Sequence, residues 1–179
     1  MLAAMILLTG IIYPLVMTGW MQVMFPSKAN GSMVESHGVV VGSSQIAQQF
    51  TSDKYFWERP SAIAYNPVPS SGSNYGPTSL VLDTLIRSRR DTFLVNNHLP
   101  AGTQVPLEMI NASASGLDPH ISPQAALLQV GRVAHARNLD SMAVVNLVKD
   151  HTEGRQWGVF GDPRVNVLEL NIALDNSHR

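Results

Sequence analysis

The chain begins MLAAMILLTGIIYPLVMTGWMQVMFPS, residues 1–27, and this stretch decides how everything after it is interpreted. It contains no charged side chain and is apolar almost without interruption. A helix rises about 1.5 Å per residue, so roughly 24 apolar residues span about 36 Å, more than the ~30 Å hydrocarbon core of a bilayer. We therefore predict a transmembrane helix over residues 1–27, with the rest of the chain attached to a membrane.

Four residues of this helix have predicted roles in its shape or packing. Pro14, which follows Tyr13, has no N–H to donate and is expected to kink the helix. Gly10 and Gly19 allow a neighbouring helix to approach closely. We predict that Gly10, Tyr13, Pro14 and Gly19 pack against other transmembrane helices.

A cleaved signal peptide is the alternative interpretation of the N-terminal stretch. Ser27-Lys28-Ala29 resembles a small-x-small cleavage site. However, the apolar run is about twice as long as the usual 7 to 15 residues of a signal-peptide core, and no basic segment precedes it. We favour an uncleaved anchor. Because Lys28 is an isolated charge, the positive-inside rule does not assign a side of the membrane.

Composition limits what residues 28–179 can be. They are enough for one ordinary domain with its own core. The formal net charge of −1 leaves no electrostatic footprint for nucleic acid. The absence of cysteine excludes thiol catalysis, disulfides and cysteine-ligated zinc. We predict an α+β protein, with a transmembrane anchor over 1–27 and a single mixed soluble domain over 28–179.

Local signals predict the order of helices and strands in this domain. The long Pro-, Gly- and Ser-rich stretch 66–77 is expected to be an ordered loop, because aromatic residues flank it. The predicted elements are a strand at 39–41, a short helix from Ser43 or Ser44 to Phe50, a helix beginning at Pro77 with an apolar stripe from Leu80 to Phe93, a strand at 105–110, a helix at 124–138 entered through Ser122 and Pro123, a helix capped by Asp140, a strand and tight turn at 158–164, and a strand turning into a terminal helix at 165–174.

The chain carries few signs of catalysis. Ser115, Asp118 and His120 place a hydroxyl, a carboxylate and an imidazole close together, which suggests a hydrolase. No G-x-S-x-G elbow surrounds Ser115, and polar turns of this kind usually use their side chains on their own backbone. The six histidines have none of the spacings of zinc enzymes, and a Walker loop is absent. We predict no catalytic residue and no metal site, with a membrane-anchored extracytoplasmic hydrolase or a small-ligand binding module as the alternative.

A set of motifs distributed from end to end gives the chain a specific resemblance. These are Thr9-Gly10 with Tyr13-Pro14, Asn30-Gly31-Ser32, Tyr55-Phe56 with Arg59 to Ala62, Ser70 to Asn74 with Gly76-Pro77, Ser113 with Ser115 to Ser122, Arg132-Val133-Ala134, and Gly161 to Leu168. In them the whole chain resembles the C-subunit (KdpC) family of the Kdp high-affinity potassium-transporting P-type ATPases.

The resemblance implies an accessory role in ATP-driven potassium uptake. In that family another subunit carries the phosphorylated aspartate in an Asp-Lys-Thr-Gly-Thr motif, whereas this chain has only Asp53-Lys54-Tyr55. The implied role is to stabilise the complex and to act as a catalytic chaperone that raises the ATP affinity of the hydrolysing subunit. The implied location is the cell (inner) membrane, with one span and an extracytoplasmic domain. ATP would be bound by the partner subunit, and we expect no cofactor on this chain.

The resemblance also suggests where partners bind. The partners it implies are the potassium-translocating and ATP-hydrolysing subunits. Glu58 and Asp118 are candidates for attracting potassium, although we favour solvated structural carboxylates at both positions. The predicted partner-interface residues are Arg59, Pro60, Ser71, Gly72, Ser73, Asn74, Ser113, Ser115, Gly116, Leu117, Asp118, Pro119, His120, Ser122, Arg132, Arg164 and Asn166.

Overall fold

The apolar N-terminal stretch folds as one helix, Leu2–Met24, in a computed structural model that describes residues 1–177. It consists of α1 (Leu2–Leu7), a π-helical turn (Leu8–Ile12) and α2 (Tyr13–Met24). Pro14 accounts for the π-helical turn before it, because it has no N–H for the carbonyl one turn earlier and its ring crowds that carbonyl. The helix is long and apolar enough to cross a membrane, as predicted, and none of it is buried within the chain.

A hairpin follows the long helix in the first of two units, residues 1–45. After the single turn α3 (Pro26–Ala29), strands β1 (Met33–Ser36) and β2 (Val39–Ser43) pair antiparallel, which confirms the predicted strand. The predicted helix from Ser43 or Ser44 to Phe50 is wrong, because no helix lies there. Ser43 ends β2, and its hydroxyl donates to the carbonyl of Gly31 over 2.6 Å instead of capping a helix.

Within the described residues, the second unit, from Ile46 onward, contains four α-helices, a short 3₁₀ helix and a small sheet. The sheet is antiparallel and its central strand is β5 (Arg164–Asn166), which lies between β3 (His120–Ile121) and β4 (Thr152–Glu153), with His120 opposite Asn166 and Thr152 opposite Val165. The chain is therefore α+β, as predicted. In chain order, the α-helices and strands of the second unit are α4 (Leu80–Asn96), β3 (His120–Ile121), α5 (Pro123–Arg137), α6 (Ser141–Asp150), β4 (Thr152–Glu153), β5 (Arg164–Asn166) and α7 (Val167–Asn176).

Side-chain caps begin the helices of this unit. The Ser122 hydroxyl accepts a hydrogen bond from the backbone N–H of Ala125 (3.1 Å), and Asp140 caps α6 in the same way, which confirms both predicted starts. The predicted start of α4 is wrong, because Ser79 and not Pro77 precedes its first turn and accepts from Leu82.

The predicted strand at 105–110 is also wrong. A short 3₁₀ helix, Leu107–Met109, lies there. Pro106 has no N–H to offer a strand partner, and Met109 and Ile110 are buried in the core.

The core of the second unit lies between α5, α6 and α7. Completely buried side chains include Val133 of α5, Val144 of α6 and Leu170 of α7. The aromatic segment, residues 55–57, precedes α4, and its central residue Phe56 has no exposed surface. Its burial contributes about 1.5–3 kcal/mol and fixes the loop region 53–65 to the helices.

Candidate functional site

Two polar loops that contain most of the predicted partner-interface residues pack against each other. The Ser70 hydroxyl donates to the carbonyl of Ser115 over 2.9 Å. Gly72 lies so close to Ala114 that an added Cβ would be 3.1 Å from the Ala114 carbonyl oxygen. The tertiary structure therefore joins residues 70–74 and 113–122 into one surface, which we call the loop cluster.

Gly116 makes the close packing of the loop cluster possible. Its φ of +71° is a conformation that favours glycine, and an added Cβ would lie 2.4 Å from Cγ1 of Ile63 and 3.1 Å from the carbonyl oxygen of Ser71. Nearby, the backbone N–H of Ser113 donates to the carbonyl of Pro60 over 3.1 Å. Segment 60–63 thus forms the floor of the cluster.

An ion pair ties the cluster to Arg59, the residue before segment 60–63. Arg59 Nη1 donates to Asp118 Oδ2 over 2.6 Å, and the other oxygen of Asp118 accepts from the backbone N–H of His120 over 3.0 Å. Burial acts to raise the pKa of Asp118, but hydrogen bonds from His120 and Arg59 outweigh it and lower the pKa to about 2. Asp118 is therefore a paired carboxylate at neutral pH.

The trio that suggested a hydrolase is not arranged as a nucleophile and base. The Ser115 hydroxyl accepts from the backbone N–H of Leu117 over 3.1 Å, and no hydrogen bond joins Ser115 to His120 within residues 1–177. His120 Nδ1 instead lies 3.4 Å from Asp118. The side chains stabilise the turn in the way the sequence predicted.

Two buried carboxamides hold the backbone of the aromatic segment. Asn171 accepts from the N–H of Phe56 (2.8 Å) and donates to its carbonyl (3.0 Å). Gln129 accepts from the N–H of Trp57 (2.8 Å) and donates to its carbonyl (3.1 Å). Sequence reasoning missed both residues, although a polar side chain within the buried face of α5 or α7 was a usable signal.

Arg132 also holds the aromatic segment in place, through its guanidinium group. Its guanidinium donates to the carbonyls of Asp53 (2.7 Å) and Tyr55 (2.9 Å) and lies 3.8 Å from the centre of the Trp57 ring. It is 3% exposed, so its donors are used inside the chain. Burial lowers the pKa of Arg132 to about 10, and the guanidinium stays charged at neutral pH.

Glu58 is buried, contrary to the solvated position predicted for it. The residue is 5% exposed and lines a cleft of about 190 Å³ with Trp57, Arg89 and Phe93. Burial raises the pKa of Glu58 to about 8, and stabilisation of the charged form by the backbone of Gln48 offsets only part of the rise. A carboxyl that is largely neutral at pH 7 is a poor attractant for potassium.

Comparisons with known proteins place the chain in one family. The family model described as "KdpC: K+-transporting ATPase, c chain" matches residues 1–176. A "Potassium-transporting ATPase KdpC subunit" of Dechloromonas aromatica is 53% identical over 174 residues, covering 94% of this chain and 89% of that protein. Proteins of the same description from Methylococcus capsulatus and Paraburkholderia phymatum are 51% and 48% identical, covering 98% and 99% of this chain and 93% of each relative. The chain belongs to the KdpC family.

The predicted interface residues of this KdpC-family chain differ widely in exposure. Asn74, Ser115 and Arg164 are exposed, and nine are partly exposed: Arg59, Pro60, Ser71, Gly72, Ser73, Leu117, Asp118, His120 and Ser122. The other five, Ser113, Gly116, Pro119, Arg132 and Asn166, are buried. Asn166 caps α7 by accepting from the N–H of Glu169 (3.2 Å). The accessible candidates are therefore concentrated on the loop cluster and beside Arg59.

The membrane-packing candidates of this KdpC-family chain lie on the surface of the long helix. Gly10, Tyr13, Pro14 and Gly19 are all exposed there.

The histidines do not form a metal site in the described part of the chain. Across residues 1–177, no group of three or more histidine or acidic side chains stands close enough to hold a metal ion, and His178 lies outside the described residues.

Proposed function

We propose that the chain is a non-catalytic accessory subunit that stabilises an ATP-driven potassium uptake complex. The observation that carries the proposal is the KdpC family match over residues 1–176. The partners in this proposal are the potassium-translocating and the ATP-hydrolysing subunits. We assign the loop cluster to contact with them, because it has accessible residues and its two loops are held together by hydrogen bonds and close packing.

The long N-terminal helix supports a location in the membrane. None of its 23 residues is buried by the described part of the chain, so their apolar surface requires lipid or the helices of other subunits. We propose one pass through the cell (inner) membrane, with the second unit on the extracytoplasmic side.

The proposal includes a role as a catalytic chaperone that raises the ATP affinity of the hydrolysing subunit. ATP is cytoplasmic, so an extracytoplasmic domain acts on its binding only through coupling across the membrane. ATP is accordingly assigned to the hydrolysing subunit, and no cofactor is assigned to this chain. Stabilisation of assembly is the primary role.

Replacing each glycine of the helix with leucine tests the assembly role. Gly10 and Gly19 lie on different faces of the helix, so Gly10→Leu and Gly19→Leu are measured separately, with Ala3→Leu near the helix end as the size-matched control. Apart from the adjoining residues and the helix's own backbone, no atom of residues 1–177 lies within 4 Å of a Cβ added at either glycine, so a defect reports contact with a partner. We expect at least one glycine variant to copurify with the other subunits roughly three- to tenfold less well.

Intact assembly and normal potassium uptake in both glycine variants would remove the packing role of these residues. Purified full-length chain is also assayed alone for ester, peptide and phosphate hydrolysis. Turnover without partners would contradict the non-catalytic assignment and support the hydrolase alternative.

A further inference from the structure

A short loop between β4 and β5 exposes three large apolar side chains. Trp157 is 91% exposed, Val159 69% and Phe160 60%. The rings of Trp157 and Phe160 meet edge to face with centroids 6.0 Å apart, so they form one patch. Aromatic surface on this scale is costly to leave in water, and it marks a contact site when it is clustered.

The backbone of this loop is already ordered. Gln156 and Phe160 exchange both of their backbone hydrogen bonds, each 2.9 Å long, and the N–H of Gly158 donates to the carbonyl of Arg155 over 3.1 Å. Trp157 has a φ of +53°, which is uncommon for a bulky residue. A partner that binds this loop therefore loses little conformational entropy in ordering it.

The charges around the patch are compensated by ion pairs within the loop and between the strands that flank it. Arg155 pairs with Asp162 (3.1 Å), and Arg164 pairs with Glu153 (2.8 Å). An aromatic centre surrounded by a polar rim is the organisation of protein–protein interfaces. Attraction to anionic lipid would need uncompensated basic residues, and each arginine here has an acidic partner.

We propose that loop 155–162 docks into an apolar pocket on another subunit of the potassium-transporting complex, with Trp157 and Phe160 as its anchors. The inference rests on the proposed function, because it takes its partner from the assembled complex. The surface is separate from the loop cluster in sequence, and the sequence predicted only a strand and tight turn there.

Site-specific photocrosslinking in the assembled complex tests the contact. The photoreactive amino acid p-benzoylphenylalanine replaces Val159 in the loop or, as a control, Val95 on α4, which is similarly exposed at 71%. We expect a crosslink to another subunit from position 159 and none from position 95. Crosslinks from position 159 to lipid alone, or none at all, would overturn the proposal.

A binding measurement separates failure of this inference from failure of the proposed function. In the double variant Trp157→Ser with Phe160→Ser, we expect the full-length chain to be lost from the immobilised complex at least about tenfold faster than wild type. Met142→Ser, at another exposed apolar residue (60%), is the control. The thermal midpoint of the double variant alone should be unchanged. If wild type never copurifies with the other subunits, the proposed function fails; if it does and the double variant is lost at the wild-type rate, only the loop inference fails.

Discussion

At the scale of single residues, buried polar side chains do most to hold the aromatic segment. Asn171 and Gln129 each satisfy one N–H and one carbonyl of a residue far away in sequence. Buried backbone groups without partners cost about 1–3 kcal/mol each, so these two side chains replace the missing strand neighbour of Phe56 and Trp57.

Replacing Asn171 with leucine is expected to destabilise the chain strongly. The change leaves the buried N–H and carbonyl of Phe56 without partners, and we expect a loss of about 2–4 kcal/mol in the free energy of unfolding. Asn146→Leu, at an exposed position of α6, is the matched control and should stay within about 0.5 kcal/mol of wild type. Thermal or denaturant unfolding of the full-length chain in mild detergent measures both. A loss for Asn171→Leu no larger than that of the control would refute the role of the amide.

Glu58 gives the stability of the chain a characteristic pH dependence. Its folded-state pKa, about 8, exceeds the ordinary value of 4.5. Between these values the folded chain keeps a proton that the unfolded chain has released, so the free energy of unfolding falls as pH rises, by up to about 1.4 kcal/mol per unit.

The variant Glu58→Gln removes this titration. Relative to wild type, we expect its free energy of unfolding to improve by about 1 kcal/mol per pH unit from pH 5 to pH 8. Unfolding of the full-length chain at a series of pH values measures the trend, and the exposed Glu169→Gln, followed in parallel, reports the effect of removing a solvated carboxylate. A constant difference between Glu58→Gln and wild type would show that Glu58 titrates normally.

At the scale of elements, two glycines show how position changes the effect of one residue type. Gly116 sits in the loop cluster at φ +71° with Ile63 and Ser71 packed against it. Gly131 lies inside α5, and among residues 1–177 no atom beyond the adjoining residues and the helix's own backbone lies within 4 Å of an added Cβ. The first is required by backbone conformation and packing, while the second only lowers the stability of a helix.

Alanine at these two positions is therefore expected to act in opposite directions. Gly116→Ala should destabilise the chain by about 1–3 kcal/mol and loosen the loop cluster, whereas Gly131→Ala should stabilise it by roughly 0.5–1 kcal/mol. Thermal midpoints of the two variants provide the comparison. Equal shifts of the same sign would contradict the proposed packing around Gly116.

At the scale of the whole molecule, the side of the membrane on which the second unit lies is the decisive property. An extracytoplasmic position permits contact with the outer surface of the transporting subunits and excludes direct contact with cytoplasmic ATP. The chain contains no cysteine, so an introduced one reports its own position.

We expect Val95→Cys to react with a membrane-impermeant maleimide in intact cells. Val95 is 71% exposed on α4, so the thiol is accessible wherever the second unit lies. The cysteine-free wild type sets the background, and lysed cells give complete labelling. Labelling that appears only after lysis would place the unit in the cytoplasm and contradict the proposed topology.

Local sequence signals were sufficient to predict several helices of this protein. The uncharged run 1–27 gave the helix, and Ser122 and Asp140 gave the starts of α5 and α6, because a capping hydroxyl or carboxylate bonds the N–H of a near neighbour. Local signals failed where tertiary contacts prevailed. Ser43 bonds Gly31 instead of capping a helix, and the apolar stretch before Ile110 packs into the core as a 3₁₀ turn.

The amino-acid sequence alone thus determined the long apolar helix, the α+β class and the family, since these rest on composition, periodicity and motifs that need no contact partner. Only the tertiary structure decided that loops 70–74 and 113–122 form one surface, that Arg132 and Glu58 are buried, and that Trp157 is exposed. Those outcomes depend on residues brought together across long separations, such as Phe56 with Asn171, and burial is set by the packed fold rather than by the local pattern.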